Sequence, residues 1–318
     1  MCISPLVATI ITTPKDSLQP SYQKKRFSTF NFSLNRFADW LLENNCLDVC
    51  MESTGKYWVP VFNVLERRGI RVVIANPKWV KAVKGNKDDT KDSKWIGDLF
   101  RIGLVKSSFI PCKNIRILRE FTRYRYKLTS MRSSEKNRFQ NAFTVCNVAL
   151  DSVVSDLFGK SATAITDYLT SDEPFDPLHC VSLLQRSLKK KADTVLDSIE
   201  GYSITAEQKA RIGIIREHLY YIGDLIGKVD SCIDGMVVKY ESQILLLCSI
   251  PGIDRASAIT IISEIGIDME QFGSSKLLCC WAGLTPGNNE SAGKKKSVRI
   301  SRAGFFSNPR CYRSPTPP

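Results

Sequence analysis

The sequence predicts an α/β N-terminal domain, a long helical connector and a small, mainly α C-terminal domain. Three observations carry this. Short apolar runs alternate with amphipathic segments over residues 6–111, an apolar stripe at helical spacing runs through residues 212–247, and a helix, glycine turn, helix pattern follows at residues 249–266.

Taken in order, strands are expected at residues 6–12, 26–30, 47–51, 71–75 and 108–110, with helices near 34–43, 57–68 and 91–102. Strands separated by helices imply a mainly mixed or parallel sheet, with the first strands forming a hairpin meander. From Asn114 to about Leu157 the spacing turns helical, through Leu118, Phe121, Leu128, Phe139, Phe143 and Leu150, in a strongly basic stretch. Pro174 and Pro177 then break any single continuous helix. Thr205, with Gln208 three residues later, reads as a capping box opening the next helix. Its stripe, Ile212, Ile215, Leu219, Ile222, Ile226 and on to Leu247, has the length of a coiled coil and ends at Pro251-Gly252. An intermolecular stalk and an antiparallel pair within one subunit both satisfy it.

Composition narrows the function classes. The 318 residues include 45 Lys+Arg against 32 Asp+Glu, a net charge of +13 that favours a polyanionic partner such as nucleic acid. No run approaches the ~20 apolar residues of a membrane span, and residues 5–13 lack the basic start of a signal peptide. A cytoplasmic protein with no membrane partner is expected. The 11 cysteines are scattered, and Cys46 and Cys50 have no second pair to complete a zinc site, so reduced and mostly buried thiols are expected. With only two histidines, His179 and His218, imidazole-based nucleophile systems lack raw material.

Carboxylates and hydroxyls remain. Glu52 ends an apolar run and precedes Ser53-Thr54-Gly55, which delivers a carboxylate from a strand end. Asp89 and Asp92 are three apart at a helix start and so share a face. Three such carboxylates can hold Mg²⁺, which takes hard oxygen ligands, and Mg²⁺ serves phosphodiester cleavage. Asp near a helix start also serves as a cap or dipole partner. The turn at Gly252 resembles a helix-hairpin-helix element, whose backbone N–H groups bind phosphate with little sequence preference; an αα-hairpin that only packs has the same pattern. Ser291 lies beside Lys294, Lys295, Lys296, Arg299 and Arg302 in a Gly/Asn/Ser-rich stretch, a phosphate-contacting surface or a solvated basic loop.

The segments MESTGKYWVPVFNVLE, NPKWVKAVKGNKDDTKDSKWIGDLFRIGLVKSSFIP, IPGIDRASAITIISEIG and WAGLTPGNNESAGKKKSVRISRAG resemble, in one order over residues 24–304, the DEDD-type bacterial insertion-sequence transposases related to the Piv DNA invertase. The resemblance implies a RuvC-like, ribonuclease H-fold domain over residues 1–111, a helical coiled-coil connector over 112–249 and a C-terminal transposase domain over 250–304. It implies DNA strand cleavage and exchange by Mg²⁺-assisted phosphoryl transfer, with Glu52, Asp89 and Asp92 matching metal-binding acids and Ser291 matching the nucleophile. Double-stranded DNA, a structured guide RNA and a homo-oligomer of two or four copies are the implied partners. A non-catalytic DNA/RNA-binding remnant and a RuvC-like junction endonuclease are the alternatives.

Two departures from the family pattern stand out. The family's first strand carries Gly-hydrophobic-Asp, whereas here no Asp or Glu precedes Asp16, so a weakly held metal and impaired cleavage are expected. After Gly304 an apolar helix is expected, but residues 305–318 read FFSNPRCYRSPTPP. A one-base shift in allowed codons for residues 307–318 can spell such a helix, so this tail is read as frameshifted.

Overall fold

The structure is a computed structural model that describes residues 5–13, 19–53, 55–80, 89–285, 289–291 and 294–297. It is a mixed α/β protein, mostly helical with small sheets, and its contacts divide it into Met1–Ile110 and Pro111–Pro318.

In the first unit, β1 (Leu6–Thr12) pairs antiparallel with β2 (Ser21–Phe27), Leu6 opposite Phe27 and Thr12 opposite Ser21. After α1 (Asn31–Glu43), β3 (Asp48–Glu52) pairs in parallel with β4 (Arg71–Ala75) across α2 (Trp58–Arg67), the crossover helix that a parallel pair requires. Leu34, Phe37, Ala38 and Leu41 recur at helical spacing on α1, and they bury against Ile10, Phe27, Val61 and Leu65. The short α3 (Pro77–Val80) and then α4 (Asp89–Arg101) complete the unit.

The expected second strand is displaced here. It spans Ser21–Phe27 rather than 26–30, because Lys24, Lys25 and Arg26 are exposed on an edge strand, where charge protects the open edge and hides the strand from a hydrophobicity reading. The expected strand at 108–110 is reduced to one antiparallel bridge, Ala75 with Ser107, and Ser108 N–H donating to the Ile74 carbonyl at 2.7 Å. Among the described residues the first unit thus holds two separate two-stranded sheets.

The second unit is built on two 32-residue helices, α5 (Lys113–Thr144) and, after α6 (Lys160–Thr170), α7 (Pro177–Ser182) and α8 (Ala192–Asp197), α9 (Ala206–Val237). They run antiparallel within the chain: Arg125 meets Asp230, and further along Arg216 stacks 5.5 Å from the Phe139 ring centroid. The long stripe is therefore satisfied internally, Ile222, Ile226, Val229 and Ile233 burying with Ile115, Leu118 and Leu128. α5 stops at Thr144 rather than near Leu157, because Asn147 takes a φ of 60° and Val148 N–H closes back to the Phe143 carbonyl at 3.1 Å, a left-handed helix end that asparagine tolerates.

The capping box forms as expected, with Gln208 N–H donating to Thr205 Oγ1 at 3.3 Å and Thr205 N–H donating to Gln208 Oε1 at 2.8 Å. The stripe is broken once, by a 3₁₀ turn at Val238–Tyr240, where Gly235 and the β-branched Val237 and Val238 lower helix propensity. Beyond it come α10 (Glu241–Cys248), α11 (Arg255–Ile265), α12 (Ser275–Trp281) and a hairpin of β5 (Asn289–Ser291) and β6 (Lys294–Ser297). Ala258, Ile259 and Ile262 of α11 share the core of α5 and α9.

The thiols are less buried than expected: of the described free cysteines, Cys146 and Cys180 are buried, whereas Cys112, Cys232, Cys279 and Cys280 are exposed. Among the described residues no helix is long and apolar enough to cross a membrane.

Candidate functional site

In the first unit the candidate carboxylates ride on elements that converge. Glu52 is the last residue of β3, opposite Ala75, and Ser53 N–H donates to the Ala75 carbonyl at 3.1 Å, which fixes the strand end. α4 packs on both β1 and β3. Thr9 Oγ1 and Ser93 Oγ are 2.8 Å apart, Tyr22 Oη donates to Asp98 Oδ1 at 3.1 Å, and Lys94 Nζ stands 4.0 Å from the Tyr22 ring centroid. Gly97 allows the close approach, since a Cβ there would lie 2.5 Å from Ile11 Cδ1.

These contacts set the first turns of α4, with Asp92, against β1. Glu52 and Asp92 are both half-buried. Asp89 begins α4, and its side chain lies outside the described residues. Among the described residues no three His, Cys, Asp or Glu side chains gather closely enough to hold a metal. Glu52 and Asp92 thus stand on elements that pack together, and the β1 residue that bonds to α4 next to Asp92 in the chain is Thr9, through Ser93.

In the second unit, the turn between α10 and α11 places Gly252 at a φ of 86° with open space around it, a conformation that favours glycine. Asp254 caps α11 by accepting from Ser257 N–H at 2.7 Å, and the Ser257 side chain first, then this N–H, hold its carboxyl below the usual range. The C-terminal hairpin sets Ser291 directly opposite Lys294, and Glu290 opposite Lys295, with a register shift at Asn289/Glu290. Lys296 follows on β6, while the side chains of both strands, together with Arg299 and Arg302, lie outside the described residues.

A buried ionic network escaped the sequence reading. Glu264 on α11 has only 2% of its side chain exposed and accepts from Arg123 Nε at 2.7 Å and Arg123 Nη2 at 2.8 Å. Arg119 Nε lies 3.3 Å from the same carboxylate and donates to the Ser263 carbonyl at 3.1 Å, while Thr122 Oγ1 and Ser263 Oγ are 2.9 Å apart. Burial pushes the Arg119 guanidinium below its ordinary value, and the Glu264 charge offsets part of that. The signal was Glu264 itself, an acid inside the apolar run of α11, which requires cationic partners when buried. The network locks the helix after Gly252 onto α5.

Two family models match the chain. Residues 9–147 match a model described as DEDD_Tnp_IS110, Transposase, and residues 245–305 match one described as Transposase IS116/IS110/IS902 family. No curated protein matches the chain. The first match spans the β3 end and α4, and the second spans the Gly252 turn and the Ser291 hairpin, in the order in which the candidate residues occur. The chain therefore belongs to the IS110/IS116/IS902 family of transposases.

Proposed function

We propose that the protein cuts and exchanges DNA strands at the ends of an insertion sequence, acting as a transposase with a RuvC-like N-terminal domain. The observation that carries this reading is the packing of α4 on β1 and β3, which brings the helix bearing Asp89 and Asp92 against the sheet that ends in Glu52, within the segment matching the transposase model. Glu52, Asp89 and Asp92 would hold Mg²⁺, whose chemistry there is activation of an attacking oxygen and stabilisation of a leaving one.

Ser291 is the proposed nucleophile. Its oxygen bonds to a DNA phosphorus as one ester oxygen leaves, and the resulting phosphoserine diester is returned to DNA when a strand hydroxyl attacks and the serine oxygen departs. Lys294, opposite Ser291, and the neighbouring Lys295 and Lys296 supply positive charge for the phosphoryl group. Gly252 at its open turn, with Arg299 and Arg302, completes the proposed DNA and RNA contacts. A structured guide RNA and assembly into a homo-oligomer belong to the same reading.

One observation favours reduced activity in this protein: β1 (Leu6–Thr12) carries no Asp or Glu, so it offers no further carboxylate to the proposed metal site. A non-catalytic binding remnant is the limit of that trend. The test is Mg²⁺-dependent nicking of duplex DNA carrying element ends. Glu52→Gln and Asp92→Asn are expected to abolish nicking while leaving DNA binding within about twofold; nicking that survives both substitutions would remove the assignment.

A further inference from the structure

The module between α5 and α9 separates its charges. Residues 145–205 carry nine carboxylates and five cations, and the five cations are Lys160, Arg186, Lys189, Lys190 and Lys191. Gln185 N–H donates to Ser161 Oγ at 2.9 Å, which ties the start of α6, and with it Lys160, to the turn that begins at Arg186. All five are exposed, and among the described residues none has a carboxylate partner. The nearest acid in sequence, Asp193, sits in the first turn of α8, where the helix dipole favours it.

The cations take no part in the apolar packing of the module. Arg186–Lys191 is a 3₁₀ helix, so Arg186 and Lys189 stack on one side about 6 Å apart along the axis, Lys190 lies on a second side, and Lys191, on the side of Leu188, stays exposed at the end of the turn. Arg186 holds a φ of 51°, a conformation that glycine or asparagine adopts more readily. Leu188, the apolar residue of the turn, packs inward on the module core and leaves the ridge without an apolar anchor of the kind protein partners use. Neighbouring like charges with no acid between them are a cost to folding that a polyanion relieves.

We propose that this ridge is a second duplex-DNA surface, lying outside both family-matched segments, that grips phosphates without reading sequence. The carboxylates elsewhere in the module repel DNA, so the ridge decides which part of the module approaches it. The inference rests on DNA being the substrate of the family, and needs neither the metal ligands nor Ser291.

The test uses the full chain and a fluorescent random-sequence duplex of about 30 base pairs, with affinity measured between about 50 and 200 mM salt without Mg²⁺. Replacing Arg186, Lys189, Lys190 and Lys191 together by Gln is expected to lower the slope of log affinity against log salt by about 3 to 4 and to weaken binding at least about tenfold. Arg186→Gly alone is expected to lower the slope by about one while raising the melting temperature, since it relieves the backbone and removes a phosphate contact. Lysine acetylation read by mass spectrometry, on the unaltered protein, is expected to show Lys189, Lys190 and Lys191 protected by the duplex. An unchanged slope or unprotected lysines would overturn the proposal, as would a loss of affinity confined to an RNA hairpin. Glu52→Gln keeps the slope, so a failed nicking assay and a failed ridge are told apart.

Discussion

Thr9 Oγ1 lies 2.8 Å from Ser93 Oγ, joining the middle of β1 to the residue after Asp92. The contact fixes where the first turns of α4, which carry Asp92, lie against β1. Two substitutions at Thr9 test it. Thr9→Val is expected to cost about 1 kcal/mol, the worth of one part-buried hydrogen bond. Thr9→Asp gives β1 the carboxylate it lacks, against the helix turn that carries Asp92, and its melting temperature is expected to rise by several degrees on adding about 10 mM Mg²⁺, through preferential binding to the folded state. The unaltered protein should shift less. Equal shifts would detach Thr9 from the metal site.

Glu264 is expected to dominate the coupling of α11 to α5. Removing one partner from a fully buried pair costs roughly 3–5 kcal/mol, but Arg123 is about half exposed, so Glu264→Gln should cost about 2–3 kcal/mol. Urea unfolding measures it. Arg123→Lys should recover only part of the stability, because an ammonium cannot bond both carboxylate oxygens in the guanidinium fork. Full recovery with lysine would mean the paired geometry is unimportant.

Asp254 provides a titration test. Its folded carboxyl is held low by Ser257, so its contribution is complete above the unfolded value near ~3.9 and is lost as pH falls through the lower folded value. Asp254→Asn keeps an acceptor for the cap and removes the titration. Stability should then fall less steeply with acid below about pH 4, while Asp254→Ala loses the cap itself, about 1 kcal/mol. Identical acid profiles for the parent and Asp254→Asn would contradict the assignment.

The thiols should differ in reactivity. Burial pushes the Cys50 thiol up to about 11, on the strand that ends in Glu52, whereas Cys232 is exposed. With a thiolate as the nucleophile, Cys50 should alkylate far more slowly than Cys232 near pH 8. Comparable rates would mean that β3 opens readily.

Local features were the most legible in the sequence. The apolar run at Leu6–Thr12, the capping box at Thr205 and the glycine turn at Gly252 each follow from a few neighbouring residues, and each is present. The failures have a common physical cause: tertiary context overrode the local pattern. Lys24 and Lys25 conceal an edge strand, Asn147 ends a helix whose apolar spacing continues, and the partners that bury Glu264 are more than 140 residues away in sequence. For the site, Glu52 at a strand end and Asp89 and Asp92 at a helix start could be read from spacing. That α4 meets β1 through Thr9 and β2 through Tyr22 depends on contacts between distant segments, which no spacing encodes.

The central claim is that Ser291 joins DNA covalently, and denaturing electrophoresis of the protein with labelled duplex tests it most directly. The account predicts a label that migrates with the protein, is lost in Ser291→Ala, and persists in Ser291→Cys if a thiol can take the same place. A covalent adduct formed equally well by Ser291→Ala would contradict it.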